Sequence, residues 1–233
     1  MLTFVAVAFA VPFQAGDPKA TLRRELGAFT RAQVWFALAI GAIGFGGLFA
    51  VYTYIAPLAT EVTGLPASLV PIALVVVGLG MVIGNLVGGR MADWSVRRSM
   101  YLFFAVLAAA LVLLGFTAAF PAGLFIGVFL VGLASSALSP TIQARLMDVA
   151  HDSQSIAAAL NHSALNIGNS LGALLGGLVI AAGFGYIAPV WVGLVLTVAG
   201  IVLALASFAL DRSRRRRGIG GVPLTTAATA AID

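Results

Sequence analysis

The sequence contains no cysteine, only two histidines and few charged side chains, which make up 9% of its 233 residues. Without cysteine the chain has no disulfide bonds or thiol chemistry, and two histidines are too few to build a metal cluster by themselves. A soluble domain carries about 25% charged residues, so this composition excludes an ordinary water-soluble core. Hydrophobic residues instead make up 61% of the chain, which is typical of a protein embedded in a lipid bilayer.

Six long apolar runs follow one another along the chain. They cover residues 33–59, 68–89, 99–119, 121–144, 155–182 and 186–210. A helix rises about 1.5 Å per residue, so each run is long enough to cross a hydrocarbon core about 30 Å thick. The pattern predicts an all-α integral membrane protein with six transmembrane helices.

The thirteen basic residues occupy alternate gaps between these runs. Four precede the first run, three follow the second, one follows the fourth and five follow the sixth, whereas the other gaps have none. Because cytoplasmic loops collect Lys and Arg, this distribution predicts that both termini are cytoplasmic. The net charge of +5 therefore follows from membrane topology, and no nucleic-acid-binding motif accompanies it. Twelve of the thirteen are arginine, which favours a GC-rich bacterial genome and hence the bacterial cytoplasmic membrane.

The six runs predict a transmembrane bundle over residues 33–210, and the segments before and after it have a different composition. Residues 1–13 are apolar but too short to span, and we interpret them as the remnant of a preceding transmembrane helix. Residues 14–32 are polar and basic, as expected of a cytoplasmic linker. Residues 211–233 are predicted to be a disordered cytoplasmic tail, because beyond their basic start they are small, polar and aperiodic.

The distribution of polar residues divides the six runs into two similar triplets. The first two runs of each triplet carry polar side chains, and the third is almost entirely apolar. The middle run of each triplet has a glycine at every fourth position: Gly80, Gly84 and Gly88 in one, and Gly168, Gly172 and Gly176 in the other. Such ladders let helices approach closely. Two triplets of opposite topology predict an inverted 3+3 repeat, an arrangement found in membrane transporters.

Polar side chains inside the runs are candidates for lining a substrate cavity. They are Tyr52, Tyr54, Gln143, His162, Asn166 and Asn169. The last three share an arc of about 60° on a helical wheel, so they face either a cavity or another helix, with which they would form hydrogen bonds. The tyrosines fit an aromatic belt at the membrane surface equally well. For Gln143, which shares a face with Ser135 and Ser139, helix packing is the alternative.

A charged segment, GGRMADWSVRR at 88–98, joins the second and third runs. It resembles the loop signature G-x-x-x-D-R-x-G-R-R of the major facilitator superfamily. Gly89, Asp93, Arg97 and Arg98 match, whereas tryptophan and valine stand where a basic residue and a glycine are usual. A carboxylate here can latch one conformation by pairing with an arginine, and Arg145 on the same side is a candidate partner. The alternative is that these charges only follow the rule for cytoplasmic loops.

The resemblance extends over nearly all of residues 1–210, as the second half of a twelve-helix transporter. The GFGG sequence at 44–47, with Tyr52, Tyr54 and Pro57, looks like the seventh helix of bacterial drug:proton antiporters, and residues 161–177 look like the eleventh. The closest likeness is to the branch of chloramphenicol and arabinose exporters. The family's antiporter signature lies in a helix that this chain lacks.

The resemblance implies a secondary transporter, not an enzyme, that exports drugs or small solutes by alternating access in exchange for protons. It implies no cofactor and no metal. Its partners would be the bilayer, the small-molecule substrate, protons, and an N-terminal half bundle or a second copy. No Asp, Glu, Lys or Arg lies inside any run, which leaves His162 as the one candidate proton carrier there. We therefore expect no proton-coupled export by this chain alone. The alternative is a transporter fragment or membrane scaffold without activity unless paired with another bundle.

Overall fold

The computed structural model describes residues 27–150 and 153–216, and every regular element among them is helical. The helices are α1 (Ala32–Ala39), α2 (Gly46–Tyr52), the single turn α3 (Ile55–Pro57), α4 (Val70–Thr117), α5 (Pro121–Ala150), α6 (Gln154–Ala181) and α7 (Ala188–Arg216). Two π-helical segments, Ile40–Gly44 and Leu58–Val62, and two 3₁₀ turns, Gly27–Thr30 and Ala67–Leu69, complete them. The predicted helix remnant, most of the linker and residues 217–233 of the predicted tail lie outside the described residues.

Five helical stretches in the described part are long and apolar enough to cross a membrane. They are Ala32–Tyr52, Ala67–Thr117, Pro121–Ala150, Ile156–Ala181 and Ala188–Ser213. This confirms an all-helical membrane protein. The first stretch is not one regular helix, because the π segment Ile40–Gly44 and a turn at Phe45 separate α1 from α2.

The second stretch is twice the length of a span because α4 folds back on itself. At Ser95 the backbone is extended (φ −164°, ψ 100°), and helix resumes directly afterwards. The Ser99 hydroxyl donates a hydrogen bond to the Met91 carbonyl at 2.6 Å, although eight residues of straight helix would separate them by about 12 Å. α4 therefore consists of a first arm, 70–94, and a second arm, 96–117, that run in opposite directions. The loop predicted at 90–98 is thus helical except at Ser95, since one extended residue suffices for the reversal.

The two arms pack on α5 from different directions. Along the first arm, Gly80, Gly84 and Gly88 lie in turn against the backbone of Phe129, Leu133 and Ala137, so the two helices run parallel. Along the second arm, Leu114 lies against Gly127 and Thr117 against Gly123, which is an antiparallel hairpin. A side chain on any of the three ladder glycines would overlap the α5 backbone. That close approach explains why the first arm has glycine at every fourth position.

The interrupted first stretch is packed in the same two ways. It runs parallel to α6, because Gly41 lies against Ala164, Gly46 against Gly172, and the ring of Tyr54 against Gly176. It runs antiparallel to α7, because Gly44 lies against Gly200 and Gly47 against Gly193. Fully buried side chains of the second arm, Phe104, Leu107, Leu111 and Leu114, fill the core between these helices and α5.

Two helices continue beyond the predicted ends of their apolar runs. α5 continues to Ala150, six residues past the predicted end of the fourth run, so Arg145 lies within a helix. α7 continues to Arg216, so the start of the predicted tail is helical. Both extensions contain charged residues, which lower the hydropathy of a helix without ending it.

Candidate functional site

One end of the bundle gathers the arginines of the described residues, and we call it the basic end. It consists of the start of α1, the turn at Ser95 and the last turns of α5 and α7. Arg31, just before α1, donates hydrogen bonds from Nη1 to the carbonyls of Val149 (3.4 Å) and Ala150 (3.1 Å). These carbonyls have no partner within their own helix, so Arg31 caps α5 and ties the linker to it.

Arg145 forms the centre of this end. Its side chain is 4% exposed, and its Nη2 donates to Gln33 Oε1 (3.1 Å), Ser207 Oγ (3.1 Å) and Asp211 Oδ2 (2.5 Å). Its guanidinium carbon lies 4.5 Å from the ring centroid of Phe208. A single arginine on α5 thereby connects α1 with α7.

Gln33 and Ser207 also bind each other, so the network does not depend on Arg145 alone. The Ser207 hydroxyl donates to Gln33 Oε1 at 2.8 Å, and Gln33 Nε2 donates to the Ser207 carbonyl at 3.1 Å. These two side chains are buried, so they provide Arg145 with polar partners away from water. A buried guanidinium is tolerated when it is both hydrogen-bonded and paired with an opposite charge.

The two carboxylates that pair with Arg145 differ in their surroundings. Asp211 on α7 is 28% exposed and makes the short contact, whereas Asp148 lies one turn further along α5, 3.3 Å away and 70% exposed. Water screens the second pair much more strongly. Asp211 is therefore the acidic residue that compensates the buried charge.

The structure does not assemble the latch predicted from the 88–98 motif. Asp93 is exposed and forms no hydrogen bond or ion pair with any described residue, and Arg145 is paired with Asp211 instead. Arg98 lies over the exposed ring of Trp94, 5.3 Å from its centroid. No atom outside its own helix would approach a side chain at Gly89, so the close contact falls at Gly88. Because α4 remains helical as far as Trp94, Arg90 lies three residues before Asp93 on the same helix face, but no ion pair joins these two side chains.

The sequence interpretation missed Gln33, Ser207 and Asp211. Gln33 is the first residue of the first run, Ser207 lies near the end of the sixth, and Asp211 is the first residue of the predicted tail. A carboxylate directly after an apolar run and beside several arginines was the available signal, since at the end of a span it must find a cation or reach water.

The predicted cavity residues are divided between two places. His162 and Asn166 are exposed on one face of α6, and Asn169, one turn further on, is half-buried with its Oδ1 buried and without a hydrogen bond in the described part. Gln143 on α5 is half-buried and has no hydrogen-bond partner there. No hydrogen bond joins any of these side chains to another of them within the described residues.

Tyr52 and Tyr54 lie at the opposite end of the bundle from Arg145, and both contact neighbouring residues. Tyr54 donates its hydroxyl to the Ala173 carbonyl at 2.7 Å, and its ring covers Gly176 on α6. Tyr52 is 38% exposed and packs on Phe49, with ring centroids 5.7 Å apart. Tyr54 thereby fixes the end of the interrupted first stretch to α6.

Three further buried polar atoms lack partners among the described residues: Ser135 Oγ and Arg145 Nε on α5, and Asn161 Oδ1 on α6. The described residues contain no group of three or more His, Cys, Asp or Glu side chains that could hold a metal ion.

Comparison with known proteins matches residues 34–230 to the model of the Major Facilitator Superfamily. The chain is 34% identical over 205 residues to the inner membrane transport protein YdhP of Escherichia coli K12, which is 88% of this chain and 52% of that protein. It is 31% identical over 221 residues to the uncharacterized MFS-type transporter YtbD of Bacillus subtilis (93% and 56%). It is 30% identical over 182 residues to a chloramphenicol resistance protein of Streptomyces lividans (78% and 46%). The chain thus spans about half the length of the curated relatives that it matches.

Proposed function

Because this chain belongs to the Major Facilitator Superfamily, we propose that it supplies one six-helix bundle of a secondary transporter, arranged as an inverted 3+3 repeat. The six helices would be the interrupted first stretch, the two arms of α4, α5, α6 and α7. All relatives named above with a stated role are transport or resistance proteins, which favours transport over enzymatic activity.

The packing directions support the repeat. A 3+3 repeat relates the first stretch to α5, the first arm of α4 to α6, and the second arm to α7. The first arm is parallel to α5 and the second arm antiparallel to it; likewise, α6 is parallel to the first stretch and α7 antiparallel to it. The two glycine ladders, at 80–88 and 168–176, occupy related helices and face related neighbours.

The half-length match supports a need for a second bundle. A Major Facilitator transporter works by rocking two bundles around a site at the bilayer midplane. His162 and Asn166 are exposed on a span, and polar side chains facing lipid are unfavourable unless other protein or a wet cavity covers them. The covering bundle would be an N-terminal half or a second copy of this chain.

We further propose that the complete transporter exports drugs or small solutes in exchange for protons, with Asn166, Asn169 and His162 facing the substrate path. The resistance protein of Streptomyces lividans supports this substrate class. None of the six apolar runs contains an acidic side chain. The proton-carrying carboxylate would therefore belong to the second bundle.

The orientation that we propose places the basic end in the bacterial cytoplasm, with both termini on that side, because arginine-rich loops remain inside. There, Arg145 and Asp211 would form the latch that holds the ends of α1, α5 and α7 together in one of the two alternating conformations.

The observation that carries the proposal is the family match over residues 34–230. It can be tested in a drug-sensitive Escherichia coli strain that expresses this chain, the N-terminal half of YdhP, or both. We expect lower chloramphenicol accumulation only in the co-expressing cells, and we expect a proton uncoupler to abolish the difference. Unchanged accumulation with both halves present and inserted would favour the scaffold alternative. Lower accumulation with this chain alone would favour a functional homodimer.

A further inference from the structure

A pocket of about 290 Å³ opens at the basic end, between the turn at Ser95 and the last turns of α5 and α7. Three arginines line it, Arg97, Arg145 and Arg212, together with two aspartates, Asp148 and Asp211. Arg145 and the two aspartates belong to the hydrogen-bond network described above, whereas Arg97 and Arg212 do not.

The two aspartates are already engaged, since both accept from Arg145. Arg97 and Arg212 are exposed, and neither forms an ion pair with any residue in 27–150 or 153–216. The three arginines and two aspartates of the lining leave one net positive charge, which one anionic group between Arg97 and Arg212 would neutralise. Arginine presents a planar fork of donors that matches the oxygen atoms of a phosphate group.

The backbone at the pocket contributes one helix N-terminus. Ser95 directly precedes the second arm of α4, its hydroxyl accepts a hydrogen bond from the Arg98 amide at 3.4 Å, and Ser95, Val96 and Arg97 line the pocket. This N-terminus brings the positive end of a helix dipole to the pocket, whereas the last turns of α5 and α7 bring negative ends. The arginine side chains therefore decide the charge of the pocket.

The position of the pocket relative to the membrane surface also suits a phosphate group. Trp94, adjacent to Ser95, is 69% exposed, and Arg98 covers its ring. Exposed tryptophan beside arginine at the end of a span is typical of the level of lipid headgroups. Phosphate groups are concentrated at this level, and soluble phosphate esters also reach it from water.

We propose that this pocket binds an anionic phosphate group, carried either by an acidic phospholipid or by a soluble phosphate ester, between Arg97 and Arg212. This site does not depend on the substrate, on proton coupling or on a second bundle. It can therefore fail or succeed independently of the proposed transport.

The test uses the full chain, purified in detergent and examined by native mass spectrometry with phosphatidylglycerol, and separately with phosphatidylcholine, whose phosphate charge is neutralised by choline. The test variant is R97Q/R212Q. The matched control is R90Q/R98Q, which removes the same charge from the same end but from residues that do not line the pocket. We expect R97Q/R212Q to weaken phosphatidylglycerol binding about tenfold or more, and the control to change it less than about threefold.

Glycerol 3-phosphate and inorganic phosphate identify the source of the group. Phosphatidylglycerol binding that depends on Arg97 and Arg212 and resists both competitors assigns the site to lipid. Competition by either, with the same dependence, assigns it to a soluble ester. Equal losses in the two double variants, or no loss in either, would overturn the proposal. If R97Q/R212Q does not fold, the single variants R97Q and R212Q replace it, and binding of phosphatidylglycerol equal to that of the wild type by both would contradict the proposal.

Discussion

Replacing Asp211 with Asn should destabilise the bundle strongly, because it removes the negative charge that compensates buried Arg145. Removing one partner of a fully buried ion pair costs about 3–5 kcal/mol. Asp211 is 28% exposed, so water screens part of the charge, and Gln33 and Ser207 still accept from the same Nη2. We therefore expect a loss of about 2–3 kcal/mol in the free energy of unfolding.

Asp148→Asn is the matched control, since it makes the same chemical change in a carboxylate that also contacts Arg145. That side chain is 70% exposed, and its contact is 3.3 Å long. Its loss should lower stability by less than about 0.5 kcal/mol. Unfolding of both variants can be followed in detergent by circular dichroism as sodium dodecyl sulfate is added.

A double-mutant cycle separates the charge pair from other effects of the substitution. In the background of Arg145→Met, no buried charge remains, while Gln33 and Ser207 keep their mutual hydrogen bonds. Asp211→Asn should then cost less than about 1 kcal/mol. If Asp211→Asn lowers the free energy of unfolding equally in both backgrounds, or no more than Asp148→Asn does, then Asp211 does not compensate the charge of Arg145.

Two further predictions concern packing and topology. Gly84→Ala should destabilise the bundle by about 1–3 kcal/mol, because the new methyl group would overlap the Leu133 backbone. Gly78 has open space around it, so Gly78→Ala should be neutral or slightly stabilising in the same unfolding assay. Equal effects would contradict the close approach. Single cysteines at Glu61 and Phe184 should react with a membrane-impermeant thiol reagent in intact cells, while one at Arg90 should react only after lysis; the opposite labelling would reverse the proposed orientation.

Hydropathy predicted the membrane-spanning helices, and the basic residues predicted which helix ends lie together, because polar groups in lipid are unfavourable wherever they occur along the chain. The glycine ladder at 80–88 could also be predicted from the local sequence, since a period of four marks one helix face. The division of the first stretch at Ile40–Gly44 was not, because nothing in its composition distinguishes a π segment from regular helix. Its conformation accompanies contacts with α6 and α7, more than a hundred residues away.

The candidate site was harder to predict than the fold, and Arg145 shows why. The sequence suggested it as a latch partner of Asp93, because both residues lie on the same predicted side of the membrane. The actual partner, Asp211, lies 66 residues further along the chain and on another helix. Which carboxylate reaches a given arginine depends on how α5 and α7 end beside each other, and only the folded bundle determines that.

Reconstitution into proteoliposomes tests most directly the claim that this chain is one bundle of a two-bundle transporter. Vesicles would hold this chain alone, or together with the N-terminal half of YdhP, under an imposed proton gradient with radiolabelled chloramphenicol. We expect no gradient-dependent uptake by the chain alone, since none of its six apolar runs contains an acidic residue, and we expect uptake when both halves are present. Gradient-driven uptake by this chain alone that survives His162→Ala would contradict it.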